Sequence, residues 1–228
     1  MATKTVQVEG IGELVLQKNR RSRSLKITLL PTGKIRVSLP LWVPYQTAIE
    51  FAKSKTQWIQ DNRHSVTRLQ DGMAIGKAHH LYFMSGEKLR TRLNNGRVEV
   101  YYPAALSSDH SDVQATARRA AQRALRREAE GLLPQKLATL AAQHRFTYKS
   151  VQVRHLKSRW GSCNQSQEIT LNFFLMQLPW ELIDYVLLHE LTHTKHLHHG
   201  PEFWNEFERV LPQAKTLRRT MRQHKPTI

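Results

Sequence analysis

The chain has 228 residues, of which 40% are hydrophobic, enough to bury a core in one large domain or two small ones. Lys and Arg number 35 against 18 Asp and Glu, a formal net charge of +17, so polyanions and acidic surfaces suit it as partners. A single cysteine, Cys163, excludes an internal disulfide framework. Because no apolar run reaches the ~18 residues of a membrane span and no apolar signal core follows Met1, we expect a soluble protein of a reducing cytoplasm, away from the membrane.

The positive charge is spread over the chain rather than gathered in a tail. Residues 1–110 carry 17 Lys and Arg against 8 Asp and Glu, and residues 111–228 carry 18 against 10. Two clusters stand out: Lys18, Arg20, Arg21 and Arg23, and Arg118, Arg119, Arg123, Arg126 and Arg127. Helical spacing would spread the second cluster over one broad face. A solvated surface is the favoured interpretation of each cluster, and a non-specific nucleic-acid contact is the alternative.

The first 110 residues have the pattern of a sheet. Apolar and polar residues alternate in four runs: 25–29, 35–39, 81–84 and 98–102. A Pro31-Thr32-Gly33 turn joins the first two runs into a hairpin, and an Asn94-Asn95-Gly96 turn lies between the last two. One helix is expected after Pro44, where apolar residues keep helical spacing as far as Ile59. We therefore predict a mainly β region with one helix over residues 1–110.

The second half has more helix-forming residues. Residues 112–145 predict one long or broken helix, with Gly131 and Pro134 as its kink or break points. Alternating residues at 151–153 and 169–173 predict two strands with a turn between them. Another helix is expected to begin at Pro179, which suits a first turn. The fold class predicted is α+β.

The informative segment is the run from His189 to His193, which reads His-Glu-Leu-Thr-His. Side chains four apart project from one helix face, so both imidazoles can reach one Zn²⁺ ion. Glu190 is turned about 100° from His189, which suits it to hold a metal-bound water and take its proton as general base. Zn²⁺ is expected because it accepts neutral imidazole and brings the pKa of bound water towards ~7.

A chance match is the alternative, since random placement at this composition gives about 0.04 HExxH matches. The surrounding residues 182–191 are apolar on nearly every side of the helix, which indicates burial. Burying two imidazoles and a carboxylate without partners would cost several kcal/mol, and a metal with its water would satisfy all three. The sequence thus favours a real metal site.

A third ligand must come from outside the motif, and several residues compete for the role. His196 would lie ~10 Å along the axis from His189 if the helix continued. His199 is better placed, because the chain should turn at Gly200-Pro201 and could bring it over the metal. Its spacing matches HExxHxxGxxH, although His196 replaces the glycine, which puts the metzincin turn in doubt. The remaining candidates are His198, Glu202 and Glu206.

These segments together resemble a known family. The sequence from His189 to His193, the run His199–Trp204 and the preceding run Lys157–Cys163 resemble the YgjP-like family of predicted zinc metallopeptidases, related to SprT-like and wider zincin-type domains. The similarity is strong from about Val151 to Pro212. Three N-terminal segments also look familial: Arg23–Ile27, Pro31–Val37 and Trp58-Ile59.

The resemblance implies roles for particular residues. It makes His189, His193 and His199 the metal ligands and Glu190 the catalytic glutamate, within a zincin-like catalytic domain over residues 111–228 that carries a small edge sheet. It also implies that the strand of Trp160 forms the active-site rim.

Other residues near the motif have two interpretations each. Trp160 is as well explained by a hydrophobic plug between sheet and helix as by a substrate platform. With Arg159 it forms the candidate substrate-binding pair. Cys163 is better explained as a buried structural residue than as a zinc ligand or a nucleophile. An oxyanion-stabilising donor could come from Arg159, His155 or Tyr185.

The leading hypothesis from the sequence is a zinc-dependent hydrolase of the peptidase type, acting on a peptide or protein. The first alternative is a metal-dependent hydrolase of a nucleotide or another phosphate-bearing substrate, motivated by the basic surface but without a Walker A loop. The second is a nucleic-acid-binding protein with a structural zinc. Glu190 disfavours the second alternative, because a closed structural site has no use for a base.

Overall fold

The computed structural model of the chain describes residues 3–30, 35–63, 68–224 and 226. The α+β prediction is confirmed by its elements. The N-terminal elements are β1 (Thr3–Val8), β2 (Gly12–Lys18), β3 (Lys26–Leu29), β4 (Ile35–Leu39), α1 (Tyr45–Lys53) and α2 (Thr56–Arg63). The four strands form one sheet in the order β1-β2-β4-β3, with β2 and β4 parallel.

The predicted hairpin is present, since β3 and β4 pair antiparallel with Ile27 opposite Val37. Its predicted turn at Pro31-Thr32-Gly33 lies outside the described residues. The single helix predicted after Pro44 is two helices instead. The hydroxyl of Ser54 donates to the carbonyl of Phe51, and the hydroxyl of Thr56 donates to that of Lys53. These bonds compete with helix continuation and explain the break.

A second sheet consists of β5 (His80–Ser85), β6 (Arg90–Asn94) and β7 (Arg97–Tyr102), in the order β5-β7-β6. The predicted turn joins β6 to β7, and Asn95 and Gly96 both have positive φ, 44° and 76°, as a tight hairpin turn requires. Strand β6 was not predicted, because it is mostly exposed and has no apolar alternation.

The long helix α3 (Ser111–His144) runs without interruption through Gly131 and Pro134, so neither residue breaks it. Small residues on its buried face, such as Ala117, Ala121 and Ala124, let β7 and β8 pack closely against it. It ends at Arg145, which adopts the left-handed conformation with φ 57°.

The arginine cluster on α3 is not one exposed face, contrary to the prediction. Arg118 is buried with 4% of its surface exposed. Arg126 pairs with Glu130 at 2.8 Å, and Arg123 donates to the hydroxyl of Thr91. Position 118 lies on the buried stripe of the helix, which spacing within the cluster alone could not reveal.

The third sheet carries the candidate site. It contains β8 (Ser150–Arg154), β9 (Gly161–Cys163) and β10 (Glu168–Asn172) in the order β8-β10-β9. The prediction of two strands joined by a turn was wrong, because β8 and β10 are parallel. The chain between them forms a third strand, β9, which pairs antiparallel with β10. A 3₁₀ helix, Phe173–Gln177, follows β10 and packs on α3.

The last elements are α4 (Trp180–His193), α5 (Pro201–Val210) and α6 (Ala214–Met221). Helix α4 begins after Pro179, as predicted, and both later helices pack against it. Among the described helices, not one is both long enough and apolar enough to cross a membrane.

The buried apolar side chains fall into two clusters, one within residues 8–59 and the other within residues 69–221. Strands β5 and β7 contribute side chains to the second cluster, and β6 and β7 pack on α3. The division of the chain at residue 110 stays a prediction. Helix α4 crosses the second cluster, which therefore holds the candidate site rigidly in place.

Candidate metal centre

Two of the predicted ligands lie on α4, one turn apart on the same face. The rings of His189 and His193 are 4.8 Å apart between centroids. The Nε2 atoms of His189 and His199 are 3.0 Å apart. One ligand nitrogen from each of the three histidines lies within 4.8 Å of the others. Over the described ranges this is the one group of three or more potential metal ligands that the fold brings together.

His199 reaches the helix because α4 ends at His193 and the chain turns back before α5. The indole Nε1 of Trp204 donates to the carbonyl of His199 at 3.1 Å and fixes that end of the turn. His196, which stands where the longer motif has glycine, does not have positive φ. The turn therefore needs no glycine there, because its backbone stays in the range open to any residue.

The proton position of His193 suits a metal ligand. The Nδ1 atom of His193 lies 3.0 Å from the carbonyl oxygen of His196. A carbonyl oxygen only accepts, so Nδ1 carries the proton and Nε2 keeps a free lone pair. The fully buried ring of Phe203 lies 4.7–5.0 Å from the three imidazoles and forms an apolar floor under them.

Electrostatics also fit a cation. Burial is the largest cause that lowers the pKa of His189, to about 3, and it lowers the pKa of His193 and His199 as well. The three imidazoles are thus neutral at pH 7, which is the form that binds a metal. The Nδ1 atom of His189 is buried without a hydrogen-bond partner. Three neutral imidazoles suit an ion that prefers nitrogen ligands.

The other candidate ligands lie elsewhere. Glu206 pairs with Lys195 at 2.8 Å and Arg209 at 2.9 Å, and hydrogen bonds from these two cations lower its pKa to about 2. His196 lies 3.7 Å from Glu202. His198 faces a neighbouring groove with Cys163 and Asn164. The structure brings His199, rather than any of these, to the two histidines of α4.

Glu190 is buried beside the triad, with 5% of its surface exposed and its Oε2 atom without a partner. Burial raises the pKa of this carboxyl to about 8, and the charge of Arg159 acts in the opposite direction. Strand β9 closes over it. A carboxyl with no partner and no ligand role has a free oxygen for a proton or a water.

A cavity of about 260 Å³ opens beside the triad. Its lining residues are Arg159, Trp160, Gly161, Tyr185, Val186, His189, Glu190 and Met221. The predicted substrate-binding pair therefore lies on the wall that faces His189 and Glu190. Trp160 is half-buried and also packs against the apolar core, so both of its predicted roles stay open.

The candidates for the remaining roles separate by position. Tyr185 lines the cavity, and its ring lies 6.0 Å from that of His189. The ring of His155 packs on Phe173 and Phe174 instead. Burial, followed by the charge of Glu190, raises the pKa of the Cys163 thiol to about 11. A protonated thiol is a poor nucleophile, which agrees with a structural role.

Sequence reasoning missed the residue that holds the rim. Asn172 is fully buried at the end of β10, and its Nδ2 atom donates to the carbonyls of Leu156 and Arg159 at 2.7 and 2.9 Å. These bonds fix the loop that carries Arg159 and Trp160. The signal available was a polar residue directly after an alternating apolar run. Arg218, whose charge acts on His189 and His199, gave no sequence signal for this position.

Comparison with known proteins identifies a family model and two similar solved structures. A model of the YgjP-like metallopeptidase domain matches residues 23–224. The solved structure of the metallopeptidase zymogen of Pyrococcus abyssi abylysin is similar, with 28% identity and a TM-score of 0.37 over 40% of this chain and 94% of its own. The zymogen of Methanocaldococcus jannaschii jannalysin has 20% identity and a TM-score of 0.34 over 38% and 90%.

No curated protein matches the chain. The family model spans most of the sequence, and the histidine cluster and Glu190 lie within its bounds. The chain belongs to the YgjP-like metallopeptidase family.

Proposed function

We propose that this protein is a zinc-dependent peptidase in which His189, His193 and His199 hold the ion and Glu190 is the general base. One observation carries the proposal. Three neutral imidazoles converge within 4.8 Å, directly beside a buried carboxyl that has a free oxygen. Membership of the metallopeptidase family supports the general part of this proposal, that the protein is a metal-dependent peptidase. Zinc is the ion proposed because it favours neutral imidazole and leaves a fourth position open.

When bound, zinc supplies a Lewis acid that polarises a carbonyl and acidifies water towards a pKa of about 7. The charge of a bound zinc ion would also stabilise the ionised form of Glu190 and oppose the burial that raises the pKa of its carboxyl. Glu190 then orients the attacking water and takes its proton. The water oxygen bonds to the peptide carbon, the C–N bond breaks, and Glu190 returns a proton to the leaving amine.

The developing oxyanion needs a second donor, and two residues of the cavity wall can provide one. Burial raises the pKa of Tyr185, so its hydroxyl keeps its proton and can donate. Arg159, which lines the same cavity, offers a charged donor. Both residues line the same cavity as His189 and Glu190. The kcat and KM of Tyr185→Phe and of Arg159→Gln would show which of the two stabilises the oxyanion.

A peptide substrate is supported by the position of β9. This strand is at the edge of its sheet and packs on α4. An edge strand has backbone N–H and C=O groups that an extended peptide can pair with. A peptide added there would pass the rim formed by Trp160 and Gly161, beside Glu190.

The proposal is tested by loading metal-free protein with Zn²⁺ and measuring cleavage of unfolded casein and hydrolysis of nucleoside triphosphates in parallel. We expect casein cleavage that needs zinc and is lost in Glu190→Gln. Triphosphate hydrolysis without casein cleavage would contradict it and favour the phosphate-bearing substrate. Zinc binding with neither activity would favour the structural-zinc alternative.

A further inference from the structure

Two arginines lie close in sequence to Met221, the last residue of helix α6. Met221, near the end of this helix, lines the cavity beside His189. Arg218 is three residues before it and Arg222 is the next residue. The charges of Arg218 and Arg222 both act on Tyr185, which lines the same cavity, and favour the ionised form of its hydroxyl. Arg219 is turned about 100° from Arg218.

Arg218 contacts Trp204, which itself packs against the predicted metal ligand His199. Its guanidinium lies 4.6 Å from the centroid of the Trp204 ring. Trp204 in turn packs on His199 with ring centroids 5.8 Å apart and donates to its carbonyl. A guanidinium stacked on an aromatic ring keeps its donor edges free for a ligand. The charge of Arg218 also lowers the pKa of both His189 and His199.

A third arginine lines the cavity itself. Arg159 lines the cavity with Glu190, and Asn172 fixes its backbone. Within the described residues, no carboxylate lies within 4.0 Å of the charged nitrogens of Arg159, Arg218 or Arg222. By contrast, the nearby cations Lys195 and Arg209 are both paired with Glu206. The three arginines therefore concentrate positive charge around the cavity, where Glu190 is the one carboxyl among the lining residues.

We propose that Arg159, Arg218 and Arg222 form a subsite for a carboxylate of the peptide substrate. The proposal rests on the proposed peptidase function and specifies its substrate class. A guanidinium can bind a carboxylate through two parallel hydrogen bonds. The carboxylate can belong to an Asp or Glu side chain or to the C-terminus of the peptide. In either case, the arginines would draw acidic peptides towards the zinc and disfavour basic ones.

The test uses the zinc-loaded full chain and internally quenched peptides that carry one Glu, or one Gln, at each position in turn. A second pair has a free carboxylate or an amide at the C-terminus. We expect kcat/KM to be about 10-fold higher for the best carboxylate peptide than for its neutral partner, mainly through KM, as for a charged hydrogen bond. The pair that shows this ratio identifies the source of the carboxylate.

Arg218→Gln and Arg222→Gln should each lower that ratio several-fold, because each removes one guanidinium from the subsite. Arg219→Gln is the matched control for Arg218→Gln, since it removes the same charge from the next position of the same helix, turned by about 100°. We expect it to keep the full ratio. Thermal unfolding of all three variants verifies that α6 remains folded. Equal loss in Arg219→Gln would reduce the effect to net charge and overturn the subsite.

Calorimetry provides a readout that does not depend on turnover. Zinc-loaded Glu190→Gln should bind acetyl-Ala-Glu-Ala-Ala-amide about 10-fold more tightly than the Gln peptide, and less so after Arg218→Gln. Equal binding and equal cleavage of the paired peptides would overturn the subsite while leaving the peptidase intact. Selective binding of acidic peptides with no cleavage of any peptide would support the subsite and contradict the peptidase function.

Discussion

A side chain on Gly161 would collide with Glu190. A Cβ atom at this position would lie 2.7 Å from both Cγ and Oε1 of Glu190, closer than real Cβ contacts allow. The missing side chain lets β9 approach α4 and cover the carboxyl. Glycine is therefore required here for close approach, and not for an unusual backbone conformation.

Gly161→Ala should retain the metal and lose activity. The new methyl group would displace the Glu190 carboxyl, and a misplacement of about 1 Å can cost 10²-fold in rate. We expect kcat to fall about 10- to 100-fold with zinc content unchanged, as measured by peptide cleavage and metal analysis. Gly131→Ala is the control, because no atom lies within 4 Å of a Cβ there. It should keep activity and stabilise α3 by about 0.5–1 kcal/mol.

The general-base role predicts a second outcome. Glu190→Gln keeps the size of the side chain and removes its proton-accepting carboxylate. Turnover should fall by at least ~10² while zinc content stays near one per chain. Undiminished peptide cleavage by this variant would exclude Glu190 as the base.

The same substitution should stabilise the metal-free protein. Burial raises the pKa of Glu190 from 4.5 to about 8, so the folded state binds the proton more tightly than the unfolded state. This contribution to the free energy of unfolding is complete below pH 4.5 and is lost as pH rises towards 8. Gln does not titrate, so the variant should be about 1–3 kcal/mol more stable than wild type at pH 7.

Urea unfolding of both metal-free proteins between pH 4 and 9 measures the difference. The gain should shrink towards zero near pH 4, and the histidines, present in both proteins, cancel from it. Glu181→Gln is the control, since this residue is exposed in the first turn of the same helix. A gain that is independent of pH would contradict a titrating Glu190.

The ligand assignment predicts different outcomes for two adjacent histidines. His199→Ala removes a nitrogen 3.0 Å from His189 Nε2 and should release or strongly weaken the zinc. His198→Ala should retain about one zinc per chain, because its side chain faces a different groove. Inductively coupled plasma analysis after dialysis measures both. Full retention by His199→Ala would show that another residue completes the site.

How much of this site could be read from the sequence depended on how local the signal was. Helix α4 was predictable because its apolar residues and its two histidines follow one helical period. Prediction of the proposed third ligand required knowing where α4 ends, and spacing together with Gly200-Pro201 indicated His199. The arginines of α6 approach the cavity only through packing of α6 on α4, so no local pattern could place Arg218.

The sheets show the same limit. The hairpin of β3 and β4 was predictable since its strands are adjacent in sequence. The parallel pairing of β8 with β10 was not, because parallel strands need a crossover whose partner is not marked locally. Strand β9 is three residues long and gave no alternation. The rim of the site was therefore predicted only from the family resemblance. The contact of Gly161 with Glu190 is known from the structure alone.

The last prediction concerns the net charge of +17. A nucleic-acid contact is better placed on the loop after β2 than on α3, because Arg20, Arg21 and Arg23 are all exposed there. A hydrogen bond from Lys18 to the carbonyl of Leu41 places this loop beside that of Trp42, which is 79% exposed. Exposed cations beside an exposed indole suit phosphates and stacked bases of a single strand.

We expect the protein to retain single-stranded DNA on a filter at low salt with little dependence on base sequence. Retention should fall steeply near physiological salt, because phosphate contacts release counterions. Arg20→Gln, Arg21→Gln and Arg23→Gln combined should weaken binding and flatten the salt dependence. The control is the triple Gln variant of Arg119, Arg123 and Arg127, which removes the same charge from α3. Arg118 is left out of it because it is buried. No retention by the wild type at low salt would leave the charge as a feature that favours solubility alone.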